Sequence, residues 1–71
     1  MINNSIKLQL LEQKEWALGI KAELLDIYQE ALAEGDVHTM QQVSISYDEC
    51  DRILNRIDCM LEIHDVISIY Q

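Results

Sequence analysis

Residues 31–40 read ALAEGDVHTM, and Glu34-Gly35-Asp36 within them is the one clear break in the chain. Gly35 suits the left-handed residue that ends a helix, and Asp36 suits the N-cap of the next helix. A connection this short predicts two antiparallel helices, over about residues 5–34 and 37–69. The absence of proline argues further against a strand-rich domain with its frequent turns. We therefore expect an all-α, coiled-coil-like antiparallel two-helix hairpin, forming a single domain over residues 1–71.

The first helix carries one broad apolar face. Two rows of residues at seven-residue spacing and three further side chains make up this face: Leu11, Leu18, Leu25 and Leu32; Leu10, Ala17, Leu24 and Ala31; Ile20, Ile27 and Tyr28. At about 100° per residue these positions share one side of a helix. The face is too broad for a two-stranded seam, so we expect it to pack inside a hairpin or bundle.

The second helix has a row of mostly apolar residues at spacings that alternate between three and four. They are Met40, Val43, Tyr47, Cys50, Leu54, Ile57, Leu61 and His64. This spacing is typical of a helix packed along its whole length. Residues 46–49 also have the form of a capping box, which could start a fresh helix at Ser46. Because the spacing stays in phase across that point, we favour one continuous helix, bent near Ser44 and Ser46.

A second apolar stripe begins late in the second helix. Before Asp58 the back of this helix is polar, with Asp48 and Asp51 among its residues. After Asp58 the back carries residues spaced four, three and four: Cys59, Ile63, Val66 and Tyr70. A helix that is apolar on two sides is normally buried on both sides. One partner helix inside the hairpin covers only one of these stripes.

Leu8 points away from the main stripe of the first helix and belongs to the same end of the hairpin, with Ile2 and Ile6. We expect Leu8 and the second stripe to form part of a docking surface for a partner helix. The alternative is that the N-terminal arm folds back over Ile63 and Val66. Trp16 lies at the border of the first stripe, where it suits either a core border or an interface anchor.

The size of the chain supports a binding role. A chain of 71 residues buries little surface, yet 49% of this one is hydrophobic, which is more than two helices can hide. Cys50 and Cys59 face opposite ways on one helix, so they cannot form a disulfide with each other. We expect two reduced thiols, with Cys50 in the core.

Charge and composition exclude several classes of partner. A formal net charge of −8, from 13 acidic and 5 basic residues, repels nucleic-acid phosphates and anionic membrane surfaces. The start of the chain lacks the basic segment and apolar run of a signal peptide. No stretch approaches the roughly 20 apolar residues of a membrane span. We expect a cytoplasmic protein that binds neither nucleic acid nor a membrane.

No enzyme constellation is recognisable. The sequence has no glycine-rich nucleotide loop, no close pair of cysteine and histidine ligands, and no Glu-x-x-His motif. Asp58, Glu62 and Asp65 share a helix face that we interpret as solvated. His64 continues the core spacing, so we expect a partly buried core histidine. We predict no catalytic residues, no metal and no cofactor.

The layout resembles a known family, the small co-chaperones of type III secretion needle subunits (the YscE/EscE type). The resemblance rests on the Glu34-Gly35-Asp36 turn, the Gln-rich stretch Met40-Gln41-Gln42-Val43 and the apolar end Leu61-Glu62-Ile63-His64. It covers roughly residues 20–70. It implies a cytoplasmic helical hairpin that binds a chaperone with tetratricopeptide-like repeats. It also implies that the pair keeps an aggregation-prone needle subunit soluble before export.

Two other classes of function remain open at this point. Two hairpins could associate into a four-helix dimer with a structural or regulatory role. Alternatively, the acidic surface could imitate nucleic acid, as a phage or plasmid inhibitor would. The dimer predicts self-association, whereas the mimic predicts salt-sensitive binding to a nucleic-acid enzyme.

Overall fold

The structure is a computed structural model that describes residues 4–70, without the side chains of Asn4, Ser68 and Tyr70. Helix α1 spans Asn4–Glu34 and helix α2 spans Val37–Tyr70. The two helices pack against each other as an all-α hairpin measuring 55 × 15 × 11 Å. The predicted fold class is therefore confirmed. Helix α2 runs without interruption through Ser44 and Ser46, as the phase of its apolar residues indicated.

The turn is closed by backbone hydrogen bonds that the sequence allows. Gly35 has a φ of 70°, in the left-handed region that costs glycine no steric clash. Its N–H donates to the carbonyl of Leu32 at 3.2 Å, and the N–H of Asp36 donates to that of Ala31 at 2.9 Å. This pair of bonds is the Schellman motif, which satisfies carbonyls at the end of α1.

Asp36 caps the start of helix α2. Its carboxylate accepts hydrogen bonds from the backbone N–H of Thr39 at 3.2 Å and from the Thr39 hydroxyl. These bonds, the hydroxyl first, lower the pKa of Asp36 below its ordinary value. The N-cap predicted from the sequence is therefore present. Because it follows Gly35 immediately, the second helix begins directly after the turn.

The core is one row of side chains on each helix. The buried apolar residues are Leu10, Ala17 and Ala31 on α1 and Val43, Leu54 and Ile57 on α2. On α2, the other residues of the predicted three–four pattern are half-buried, so that pattern is confirmed along its length. Because Ala17 and Ala31 have small side chains, they allow the two helices to approach each other closely.

The predicted apolar face of α1 was too broad. Ile27 is exposed in the structure, and so is the whole row of leucines: Leu11, Leu18, Leu25 and Leu32. The inward side of α1 instead carries half-buried lysines at positions 7, 14 and 21. A single partner helix covers only a narrow seam, so the adjacent leucine row has nothing to pack against within this chain.

Three lysine–aspartate pairs join the helices on one side of the seam. Lys7 pairs with Asp65 at 3.5 Å, and Lys14 pairs with Asp58 at 2.8 Å. The third pair is Lys21 with Asp51. Each step of seven residues along α1 matches a step of seven back along α2, so these pairs form a regular ladder. We call them the ion-pair ladder, and they mark the antiparallel register.

The ion-pair ladder corrects two predictions. Asp51 was assigned to the polar back of the second helix, and Asp58 and Asp65 to a solvated face. The structure places all three beside the seam, each with a lysine from the other helix. An aspartate one residue after an inward-facing residue lies at the rim of the packed face, within reach of a long lysine side chain.

Candidate functional site

The exposed leucines of α1 form the first of two apolar edges on the hairpin. Leu11, Leu18 and Leu25 each follow a lysine of the ion-pair ladder by four residues. Residues four apart lie on the same side of a helix, so these leucines line the ladder side of the molecule. Leu32 continues the row after Tyr28. We call this row, Leu11, Leu18, Leu25 and Leu32, the leucine edge.

Concave sites open along the leucine edge. One cavity of about 180 Å³ lies beside Leu25, in the space that would hold the next rung of the ladder, where Tyr28 and Ser44 replace a lysine and an aspartate. Its remaining lining residues are Leu24, Val43, Tyr47 and Asp48. A shallower groove is lined by Leu8, Leu11 and Leu18 together with Glu12, Glu15 and Lys14. Such holes between exposed leucines are suited to side chains of a docked helix.

The electrostatics of the leucine edge are acidic. Three of the five basic residues of the chain, Lys7, Lys14 and Lys21, are paired with aspartates in the ladder. The hydrogen bond from Lys21 to Asp51 raises the pKa of this lysine above its ordinary value, and Tyr47 contributes further. The ammonium also lies 4.8 Å from the centre of the Tyr47 ring. The acidic groups around the leucines therefore outnumber the cations that are left to neutralise them.

A second apolar edge lies on the opposite side of the seam. On α1 the edge consists of Ile6, Ile20 and Ile27. Each lies four residues before a residue that faces α2 (Leu10, Leu24 and Ala31), on the side away from the lysines. On α2, three residues occupy the matching positions away from the aspartates: Ile53, Met60 and Ile67. Ile20 is half-buried, and the other five are exposed. We call these six residues the isoleucine edge.

Of the residues predicted to bind a partner, the five whose side chains the structure describes are exposed, but they lie on different sides of the hairpin. Leu8 lies in the groove beside Leu11 and Leu18, on the leucine edge. Trp16 is 69% exposed and therefore does not lie at the border of the core. It precedes Ile20 by four residues, on the side of α1 away from Leu8. The structure therefore separates Leu8 from Trp16, and their role in partner binding stays a prediction.

The described part of the second stripe of α2 is exposed, as the sequence indicated. Cys59 and Val66 lie on the back of α2, and Ile63 lies between that back and the isoleucine edge. The side chain of Tyr70 lies outside the described residues, and so does the N-terminal arm with Ile2 that was the alternative cover. Sequence reasoning therefore found this stripe but missed both the leucine edge and the isoleucine edge as exposed surfaces.

Cysteine and histidine side chains are the remaining candidates for chemistry in residues 4–70. Cys50 is half-buried and Cys59 is exposed, and both are free thiols. His64 is half-buried, and neither ring nitrogen has a hydrogen-bond partner within the described chain. No cluster of three metal-ligating side chains occurs among the described residues. Neither helix, over its described length, is apolar enough to cross a membrane.

The fold and its surfaces define a helical hairpin with two apolar edges. Comparison with protein-family models, with curated proteins and with solved structures gives no match to this chain.

Proposed function

We propose that this chain is a non-enzymatic binding protein that holds a helix of another protein against the leucine edge. One observation carries the proposal. Sixteen large apolar side chains in the described part are 42% or more exposed, whereas six apolar residues are buried. Scattered exposed apolar residues are ordinary, but heptad-spaced rows of them along one helix are typical of surfaces that bind other helices.

The acidic surroundings of the leucine edge favour a partner of definite chemistry. The partner is an amphipathic helix with an apolar stripe for the leucines and with lysines or arginines beside it. One partner side chain with an apolar stem and a basic tip fits the cavity beside Leu25, where its stem meets Leu24 and Val43 and its tip meets Asp48. Opposite charges at the rim speed association and select the partner more than they add affinity.

Within this class, the proposal is a cytoplasmic co-chaperone of the type that the chain resembles. Its partner would then be a tetratricopeptide-like chaperone that holds a type III secretion needle subunit. The layout of the hairpin and its uncovered apolar surface support this reading. A partner that binds only the folded hairpin also stabilises it, which matters for a domain of 71 residues.

Site-specific photo-crosslinking tests the proposal. A photoreactive amino acid replaces Leu18 or Leu25 in the cells that make the protein, and adducts are identified by mass spectrometry. Asp26, on the far side of α1 and exposed, is the matched control position. We expect Leu18 and Leu25 to give the same adduct with a different protein, at a helix that has basic residues beside an apolar stripe.

Three results would contradict the proposal. They are adducts only between copies of this chain, an equal yield of the same adduct from Asp26, and an adduct at a segment that lacks the apolar stripe. If the adduct contains a repeat-containing chaperone, the co-chaperone reading is supported. If it contains a nucleic-acid enzyme, the mimic reading replaces it.

A further inference from the structure

The isoleucine edge has a different composition from the rest of the surface. Between Ile6 and Ile27 on α1 and between Ser46 and Ile67 on α2, the heptad positions of this edge hold no charged residue. The chain as a whole has 18 charged residues among 71, so a charge-free edge along most of its length is unusual. Interface cores are depleted of charge in this way.

We propose that a second copy of this chain covers the isoleucine edge, so that two hairpins form a four-helix bundle. The proposal is independent of the helix-binding function, because it uses the opposite edge of the molecule. A copy is the occupant that the geometry fits, for reasons of area and register.

The area matches what a stable dimer needs. The accessible surface is 5598 Å², whereas a compact monomer of 8.3 kDa exposes about 4600 Å². The hairpin therefore exposes about 1000 Å² more than a compact monomer of its mass. A standard interface buries about 800 Å² per partner. One interface along the isoleucine edge brings the exposed surface of each chain into the ordinary range.

The register makes the isoleucine edge self-complementary. The ion-pair ladder places Lys7 opposite Asp65 and Lys21 opposite Asp51. Ile6 and Ile67 therefore lie at one level of the hairpin, and Ile20 and Ile53 lie at another. When two edges face each other around a two-fold axis along the hairpin, each level meets the identical level of the copy. Four apolar side chains then fill each of these layers, as in a four-helix bundle.

Net charge gives the dimer a signature that separates it from the partner complex. Each chain has a net charge of −8, so two copies repel each other through groups outside the edge. Salt screens this repulsion, so the dimer should become tighter as salt rises from about 0.05 to 0.5 M. A basic partner on the leucine edge should instead bind more weakly as salt rises.

Sedimentation equilibrium of the purified full-length chain tests the inference. We expect a mass of two 8.3 kDa chains at about 50 μM, and a dissociation constant that falls with added salt. Ile53→Glu should raise the dissociation constant on the order of 100-fold, because each dimer loses two apolar contacts and gains two carboxylates at the edge. Leu18→Glu, on the leucine edge, is the matched control and should leave the dimer intact.

The wild-type protein alone can overturn the inference, even if Ile53→Glu fails to fold. The inference is contradicted if the mass is that of a single chain at all salt concentrations and the thermal midpoint does not depend on protein concentration. A dimer that Leu18→Glu disrupts and Ile53→Glu spares also contradicts it, and would assign self-association to the leucine edge. The first result would leave crosslinking from Leu18 to a different protein unaffected, so the inference can fail while the proposed function stands.

Discussion

Reversing one rung of the ion-pair ladder should destabilise the hairpin, and reversing both partners should restore it. The Lys14 ammonium lies 2.8 Å from the Asp58 carboxylate, with the two side chains 36% and 49% exposed. Solvent at this exposure limits such a pair to about 0.2–1 kcal/mol. Lys14→Glu loses about 0.5 kcal/mol of attraction and adds a similar repulsion from Asp58, for a total of about 1 kcal/mol. In a domain of this size that lowers the thermal midpoint by about 4–8 °C.

The double variant Lys14→Glu with Asp58→Lys rebuilds the pair with its charges exchanged and leaves the net charge at −8. Thermal unfolding followed by circular dichroism at one protein concentration gives the free energies of unfolding for all four members of the cycle. We expect a favourable coupling energy of about 2 kcal/mol, because each single change costs about 1 kcal/mol and the double variant costs almost nothing, and this energy should shrink in about 0.5 M salt. Lys14→Met, which keeps the apolar stem, should cost about half as much as Lys14→Glu. If the effects of the two single changes simply add, the ladder does not contribute to the register.

Two further predictions concern the turn. Gly35→Ala should destabilise the hairpin by about 1 kcal/mol, because alanine is strained at a φ of 70°. Gly19→Ala is the control in the middle of α1, where the space around the residue is open, and it should stabilise the hairpin by about 1 kcal/mol. Equal effects in urea unfolding would contradict this. Asp36→Ala should lower the unfolding midpoint at pH 7, and Asp36→Asn, which keeps an acceptor for Thr39, should lower it less. The pKa of Asp36 is lowered in the folded state, so its ionised carboxylate stabilises the hairpin above about pH 4, and this stabilisation is lost as the pH falls further. The difference in unfolding midpoint between the wild type and Asp36→Ala should therefore shrink in acid. A difference that does not change with pH would refute this role of the carboxylate.

The architecture could be predicted because local chemistry and periodicity agree. Gly35 and Asp36 specify the end of one helix and the start of the next, and the structure contains both motifs. The capping-box pattern at Ser46 competes with a continuous α2. It does not break the helix, because the packed side chains before and after it remain on one face.

The inward side of α1 could not be chosen from apolar spacing alone. Two neighbouring rows of α1, those of Leu11 and Leu10, repeat every seven residues, and a hydrophobic pattern does not say which row faces the partner. The row of Lys7, Lys14 and Lys21 also repeats every seven residues, but lysine is assigned to the surface by default. The signal that identifies the seam is the equal spacing of the aspartates at positions 51, 58 and 65.

The two apolar edges follow from the choice of seam. Once the lysines face α2, the leucines four residues further on are left uncovered, and so are Ile6 and Ile27 on the other side. The prediction of Leu8, Ile63 and Val66 as one surface considered each helix separately, so it did not address this division. The exposure of these three residues is as expected.

Titration calorimetry with the partner helix identified by crosslinking tests most directly whether the leucine edge is the docking surface. The helix is titrated into the wild-type chain, into Leu18→Glu with Leu25→Glu, and into Ile53→Glu. We predict that the leucine-edge variant weakens binding on the order of 100-fold or more, while Ile53→Glu binds as the wild type does. Circular dichroism of each variant must show that the hairpin is folded. Binding that survives in the leucine-edge variant but is lost in Ile53→Glu would contradict the account.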